Sequence, residues 1–196
     1  DKMRQSLLVF GLFFFFLFFS LPFVKAEEYY ISDCSVLNQS GTYYLTQDLI
    51  NKSDTCIRIQ SKNVILDCQN HLIDGIGRRA GILYNIYPPM VSYNKIKNCI
   101  ISDWEYGVDI EYGAGDEIIN STFVNNQIGI LFWNIDNEKV INSTIVNNID
   151  GIQVSWGYDV DIINSIIINN TDDGIIFSVN YGYSQIINST VSNNYK

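Results

Sequence analysis

From about residue 96 onward, short apolar runs rich in Ile and Val alternate with Asn, Ser and Gly. The string INST begins at Ile119 and at Ile141, INSI at Ile163, and INST again at Ile187, offsets of 22, 22 and 24 residues. Each repeat holds two apolar runs of about four to eight residues with period-2 character and no 3.6-residue stripe, which predicts β-strands. A unit this short cannot bury its own apolar face, so it stacks on its neighbours. The expected fold is therefore all-β: a parallel β-helix with one rung per repeat and rungs about 4.8 Å apart. In the second run of each repeat, Val108, Ile130, Ile152 and Ile175 form one column, and Ile110, Phe132, Val154 and Phe177 the next. Both columns are assigned inward, and the intervening Asp109, Gln153 and Ser178 outward. In the first run Phe123, Ile145, Ile167 and Val191 are assigned inward.

The asparagine pairs keep the same step: Asn125-Asn126, Asn147-Asn148, Asn169-Asn170 and Asn193-Asn194. Asn tolerates left-handed backbone at a sharp corner. Stacked on copies of itself, its amide can donate to one neighbour and accept from the other. Upstream, the segment from Lys97 fits the same frame with Cys99 at the place of Ser121. The segment from Leu66 fits after an insertion of about nine residues near Pro88-Pro89, judged against the repeat period. Cys68 and Cys99 then fall on stacked rungs, close enough for a bridge; two stacked thiols fit equally well.

Residues 1–26 stand apart. A basic start, the apolar run from Leu7 to Phe19 and Val24-Lys25-Ala26 have the grammar of a cleavable signal. The run to Val24 is also long enough to stay in a bilayer as an anchor. Either way the remainder is exported, secreted or held at the cell surface, and only an uncleaved segment would tie it to a membrane. Residues 27–63 read as an N-terminal cap and first strands, and 64–196 as rungs. The string VSNNYK halts partway round a rung, which leaves open a short cap or a longer solenoid.

The chain carries 12 basic and 21 acidic residues, a net charge of −9. Three of the basic and one of the acidic residues lie in 1–26, which leaves 9 and 20, or −11, for the exported part. Such a surface repels phosphate backbones and excludes nucleic acid as a partner. Four cysteines in an exported chain favour disulfides over free thiols.

The strings GTYYLTQDL and NVILDCQNHLIDG, followed by the Asn/Ile repeats, resemble the right-handed parallel β-helix proteins of archaeal cell surfaces, of the NosD-like and pectate-lyase-like kind. The resemblance spans almost all of residues 27–196. It implies an exported, modular surface protein whose N-terminal segment caps the helix, with Cys34 and Cys56 bridging cap to first rung. Copper delivery, which a NosD-like label suggests, needs His, Met or Cys ligands; beyond the leader there are His71, Met90 and four cysteines better used as bridges.

Several residues are candidates for chemistry. The stretch Asp103 to Glu117 is acidic, and Asp109 and Glu111 should project side by side from one strand. An outward carboxylate pair can bind Ca²⁺, act as acid and base on a glycan, or form a solvated acidic face, the reading preferred from sequence. Asp67, His71 and Asp74 lie close together, where a histidine beside carboxylates could be a general base. Aromatics outside the core columns, Trp104, Tyr106, Tyr112, Trp133, Trp156, Tyr158, Tyr181 and Tyr183, could stack on sugar faces. Asn38 and Asn51, in the cap, are the favoured glycosylation acceptors; Asn120 and Asn142 would crowd each other. No complete catalytic signature is present. The expected function is a structural or adhesive surface module that contacts polysaccharide or other envelope proteins. The alternative is a lyase, hydrolase or epimerase acting on an acidic glycan. No cofactor is expected beyond the calcium option.

Overall fold

The computed structural model describes residues 27–85 and 92–195. Residues 1–26, expected from the sequence to be a signal segment or anchor, and Met90 lie outside the described residues. Every regular element among the described residues is a strand, and the strands pair in parallel. One rung comprises Glu117–Ile119, Thr122–Val124 and Ile128–Trp133, the first, second and third faces of a coil. Each strand pairs with its copy 22 residues on: Ile118 with Val140, Phe123 with Ile145, Ile130 with Ile152. The second face is a separate seven-stranded sheet, whereas the 14-residue strand Asp150–Ile163 runs through a corner and joins the third face to the first. The insertion falls between Ala80–Asn85 on the third face and Lys95–Lys97 on the first.

The inward columns form the core. Val108, Ile130, Ile152, Ile110, Phe132, Val154, Phe123, Ile145 and Ile167 are all buried. Stacking explains this: each inner side chain is covered by its equivalents on the rungs before and after, and burial of such a side chain is worth roughly 1.5–3 kcal/mol. Phe177 and Val191 stay in the inward columns, in register with Val154 and Ile167, yet are 39% and 42% exposed because no described rung covers their far side.

The corners follow one rule. An exposed residue takes left-handed φ, and the next residue turns its side chain inward. At the corner after the first face, Asn98, Asn120, Asn142, Asn164 and Asn188 have φ of 49–55°. At the corner after the second face, Asn125, Asn147, Asn169 and Asn193 have φ of 56–58°. The asparagine pair thus divides its labour: the first member makes the turn and the second makes the ladder.

Each inward side chain accepts a hydrogen bond from the backbone N–H of its equivalent one rung earlier. The Asn126 N–H donates to Asn148 Oδ1 at 2.9 Å, and that of Asn148 to Asn170 Oδ1 at 3.0 Å. Serines do the same at the first corner, Ser121 to Ser143 at 3.2 Å and Ser143 to Ser165 at 3.1 Å. The asparagine ladder also donates: Asn126 Nδ2 reaches Asn148 Oδ1 at 3.1 Å and Ile101 O at 3.2 Å. The glycines that recur in the repeat stand beside this ladder. A Cβ on Gly107, Gly129 or Gly151 would come within 2.4–2.6 Å of the next rung's glycine carbonyl.

At one rung Trp104 replaces the asparagine. Its N–H donates to Asn126 Oδ1 at 3.0 Å, and its indole Nε1–H reaches Ile73 O at 3.0 Å, standing in for the amide donor. Trp104 is therefore wholly buried and not part of any outer aromatic row. At the third corner the ladder is acidic: Asn94 N–H donates to Asp116 Oδ1 at 2.6 Å, and Asp116 N–H to Glu138 Oε2 at 2.7 Å. Asp116 and Glu138 are buried, so Asp116 departs from the solvated face expected of the acidic stretch. Gly113 makes room for them: a Cβ there would stand 2.6 Å from Asp116 Oδ2 and 3.0 Å from Glu138 Oε1.

Both disulfides form. Cys34–Cys56 and Cys68–Cys99 have Cα separations of 4.4 and 4.8 Å. The second settles the alternative left open by the sequence, and it continues the serine ladder covalently, since Cys99 N–H donates to Ser121 Oγ.

The two members of an asparagine pair should respond differently to mutation. Asn148→Ala strips the acceptor from two buried donors of Asn126 and should cost about 3 kcal/mol. Asn147→Gly keeps the left-handed turn and should change stability by less than about 0.5 kcal/mol. Urea unfolding of the two variants measures the contrast.

Candidate functional site

The outer surface of the third face has two columns that follow from the strand register. One runs Arg58, Leu83, Asp109, Leu131 and Gln153; the other runs Asn85, Glu111, Trp133 and Ser155. Asp109 does point outward beside Glu111, but it is not solvated. Leu83 and Leu131 lie directly on either side of it in the stack, and it is only 8% exposed. Its Oδ1 is fully buried and has no hydrogen-bond partner. Burial, then the neighbouring Glu111 and Glu105 carboxylates, push its pKa up to about 7.

Asp109 lies in a cleft of about 280 Å³ lined also by Arg58, Arg79, Glu105, Tyr106 and Glu111. Two of the carboxylates are held: Arg79 N–H donates to Glu105 Oε2 at 3.2 Å, and Asn85 Nδ2 donates to Glu111 Oε2. Arg58 stands 4.0 Å from Asp54. Arg58 and Asn85 were not anticipated. The third face advances 25 and then 26 residues between Ile57, Ile82 and Val108, so the 22-residue frame does not carry Asp109 back to Arg58. A cleft with a neutral carboxylic acid, two fixed carboxylates and two guanidinium groups can donate a proton, accept one, and hydrogen-bond hydroxyls.

Beyond Glu111 the same surface turns aromatic. Trp133 is Glu111's partner in register. Tyr112 meets Trp133 edge-on at 5.0 Å, Tyr158 stacks on Tyr181 at 5.4 Å, and Trp156 lies 6.4 Å from Tyr181. These rings sit where the third face turns into the first. Trp133, Trp156 and Tyr158 are 37%, 51% and 47% exposed, which makes a ridge of rings along successive rungs.

The other sequence candidates lie elsewhere. Asp67 accepts from Asn98 Nδ2 at 2.9 Å and Gln69 N–H at 3.0 Å, and pairs with Lys97 at 3.1 Å. Burial opposes its ionisation, but these partners together hold its carboxyl below the usual range. His71 is bound to Asp48, 2.9 Å away, and Asp74 to Ser102 at 2.8 Å. No reactive grouping joins them. Among the described residues, three carboxylates converge within 4.8 Å at Asp150, Asp172 and Asp173, not at Asp109 and Glu111. With all four cysteines bridged, no thiol is left for copper. Asn38 and Asn51 are exposed, as are Asn120 and Asn142, which occupy adjacent rungs of one corner.

Residues 90–196 match the family model described as "Right handed beta helix region". No curated protein matches the chain. Among solved structures, the Dettilon tailspike protein is similar, with a TM-score of 0.67 and 18% identity over 86% of this chain and 38% of that one. The enzymatically active domain of bacteriophage CBA120 tailspike protein 2 aligns over the same shares, with a TM-score of 0.45 and 14% identity. The chain thus spans well under half the length of either tailspike.

The buried acids set a pH dependence. Asp109 and Asp116 both have pKa values near 7, and Glu138 is pushed well above its ordinary value by burial and then by Asp116. Between about pH 4 and 7 the folded chain holds more protons than the unfolded one, so stability should fall as pH rises through that window. Glu138→Gln, which cannot ionise, should flatten the profile. Urea midpoints at pH 4.5, 6 and 7.5 measure both.

Proposed function

The chain belongs to the right-handed β-helix family, and from that premise we propose that it is an exported structural or adhesive module that binds polysaccharide along its third face. The observation that carries this reading is the ridge of Trp133, Trp156, Tyr158 and Tyr181, exposed on successive rungs and contiguous with the Asp109 cleft. Rings held open to water on a rigid sheet cost little ordering on binding and offer flat apolar faces to the C–H faces of sugars. The repeat sets the spacing: one ring or polar group is presented roughly every 4.8 Å, close to the length of a single pyranose in a chain. Two disulfides suit an oxidising, extracellular setting. The likeness to a tailspike supports the fold alone. Envelope proteins are further partners under this reading, with the exposed ridge again as the contact.

A glycan array followed by titration of tryptophan emission tests the proposal. Trp133→Ala and Trp156→Ala should each weaken binding at least tenfold while leaving the unfolding free energy within about 0.5 kcal/mol of the parent, as expected for exposed positions. Unchanged binding in the double variant would remove the ridge from the contact.

A further inference from the structure

We propose that the cleft beside the ridge hydrolyses glycosidic bonds of a neutral polysaccharide, with Asp109 as proton donor and Glu111 as the base that activates water. The inference rests on the polysaccharide reading and adds an activity to it. Its basis is geometric. Asp109 is an outward carboxyl that the stack encloses, between Leu83 and Leu131, and its Oδ1 lies buried without a partner at the cleft wall. A carboxyl so enclosed keeps its proton near neutrality, which is what a general acid requires. Glu111 is two residues along the same strand and faces the same way, with its Oε2 fixed by Asn85. Two residues of a strand advance roughly 6.6 Å, which leaves room for a water between donor and base. Glu105, fixed by the Arg79 amide, adds a like charge that favours the protonated form of Asp109.

The step balances without a cofactor. The Asp109 proton passes to the glycosidic oxygen as its bond to the anomeric carbon breaks. Glu111 takes a proton from water, and the water oxygen bonds to that carbon. The products are two shorter chains, one with a new reducing end. Exchange with solvent then returns the proton to Asp109 and frees Glu111.

Charge selects the substrate. The Glu105 and Glu111 carboxylates line the cleft of a chain whose net charge is −9, which disfavours polyuronates. Arg58 offsets this only in part, since it lies 4.0 Å from Asp54. The hydroxyl-rich neutral chain is therefore favoured over the acidic glycan expected from the sequence. A sugar stacked on Trp133 stands one rung from Glu111, so the adjoining linkage lies over the two carboxyls.

The test is release of reducing ends by the purified full chain from laminarin, β-mannan and dextran, with polygalacturonate and alginate in parallel. Hydrolysis of a neutral chain is expected, falling as pH rises above about 7, with Asp109→Asn and Glu111→Gln each losing at least about 100-fold. Asp109→Asn should unfold no earlier than the parent, since it removes a buried acid, so its loss of activity is not a loss of fold. Binding without release by the parent overturns the hydrolytic inference and leaves the binding proposal standing. An Asp109→Asn chain with full activity, or release from polyuronates alone, overturns it too. Absence of binding to every chain sinks both.

Discussion

A backbone that turns three corners per rung leaves an N–H at each corner facing the interior, and the fold depends on meeting that need. The solution is a side-chain oxygen supplied by the following rung: Ser at the first corner, Asn at the second, Asp116 and Glu138 at the third. An unmet buried donor costs about 1–3 kcal/mol, and it would recur on every turn. The requirement fixes which residue types can stand inward at corners, and it explains why the repeat is conspicuous in Asn and Ser although the core is apolar. It also couples neighbouring rungs polar group to polar group, so the solenoid is held by more than stacked isoleucines.

Much of this is written in the sequence, but unevenly. The near-regular periodicity from Ile119 to Val191 gives the coil, its rung length and its inward columns, because like neighbours impose like environments. The pairing Asn125-Asn126 signals a corner, yet the division of labour between turn and ladder shows only when φ and hydrogen bonds are seen together. The acidic corner was hidden for a different reason. Asp116 and Glu138 do the work of a serine or asparagine, and two carboxylates in a polar string look solvated when no register is at hand. Trp104 was masked in the same way, since an indole N–H serving in place of an amide has no sequence mark.

The candidate site was half legible. Alternation puts Asp109 and Glu111 on the outside, which is correct. What alternation cannot give is the neighbour across the strand. Leu83 and Leu131 close over Asp109 and turn a surface carboxylate into a sheltered acid. The irregular early rungs conceal Leu83, Asn85 and Arg58, because the insertion breaks the count before it reaches them. The exposed aromatics were visible as a list of residues, whereas their gathering at one corner beside Glu111 is a property of the fold.

The three tryptophans occupy two distinct optical environments. Trp104 is sealed inside the second corner and emits from an apolar, hydrogen-bonded setting, while Trp133 and Trp156 stand open to solvent. An aqueous quencher silences the outer pair and leaves the inner one shining. The molecule thus carries its own reporters: one for the integrity of the coil, the others for whatever settles on its flank.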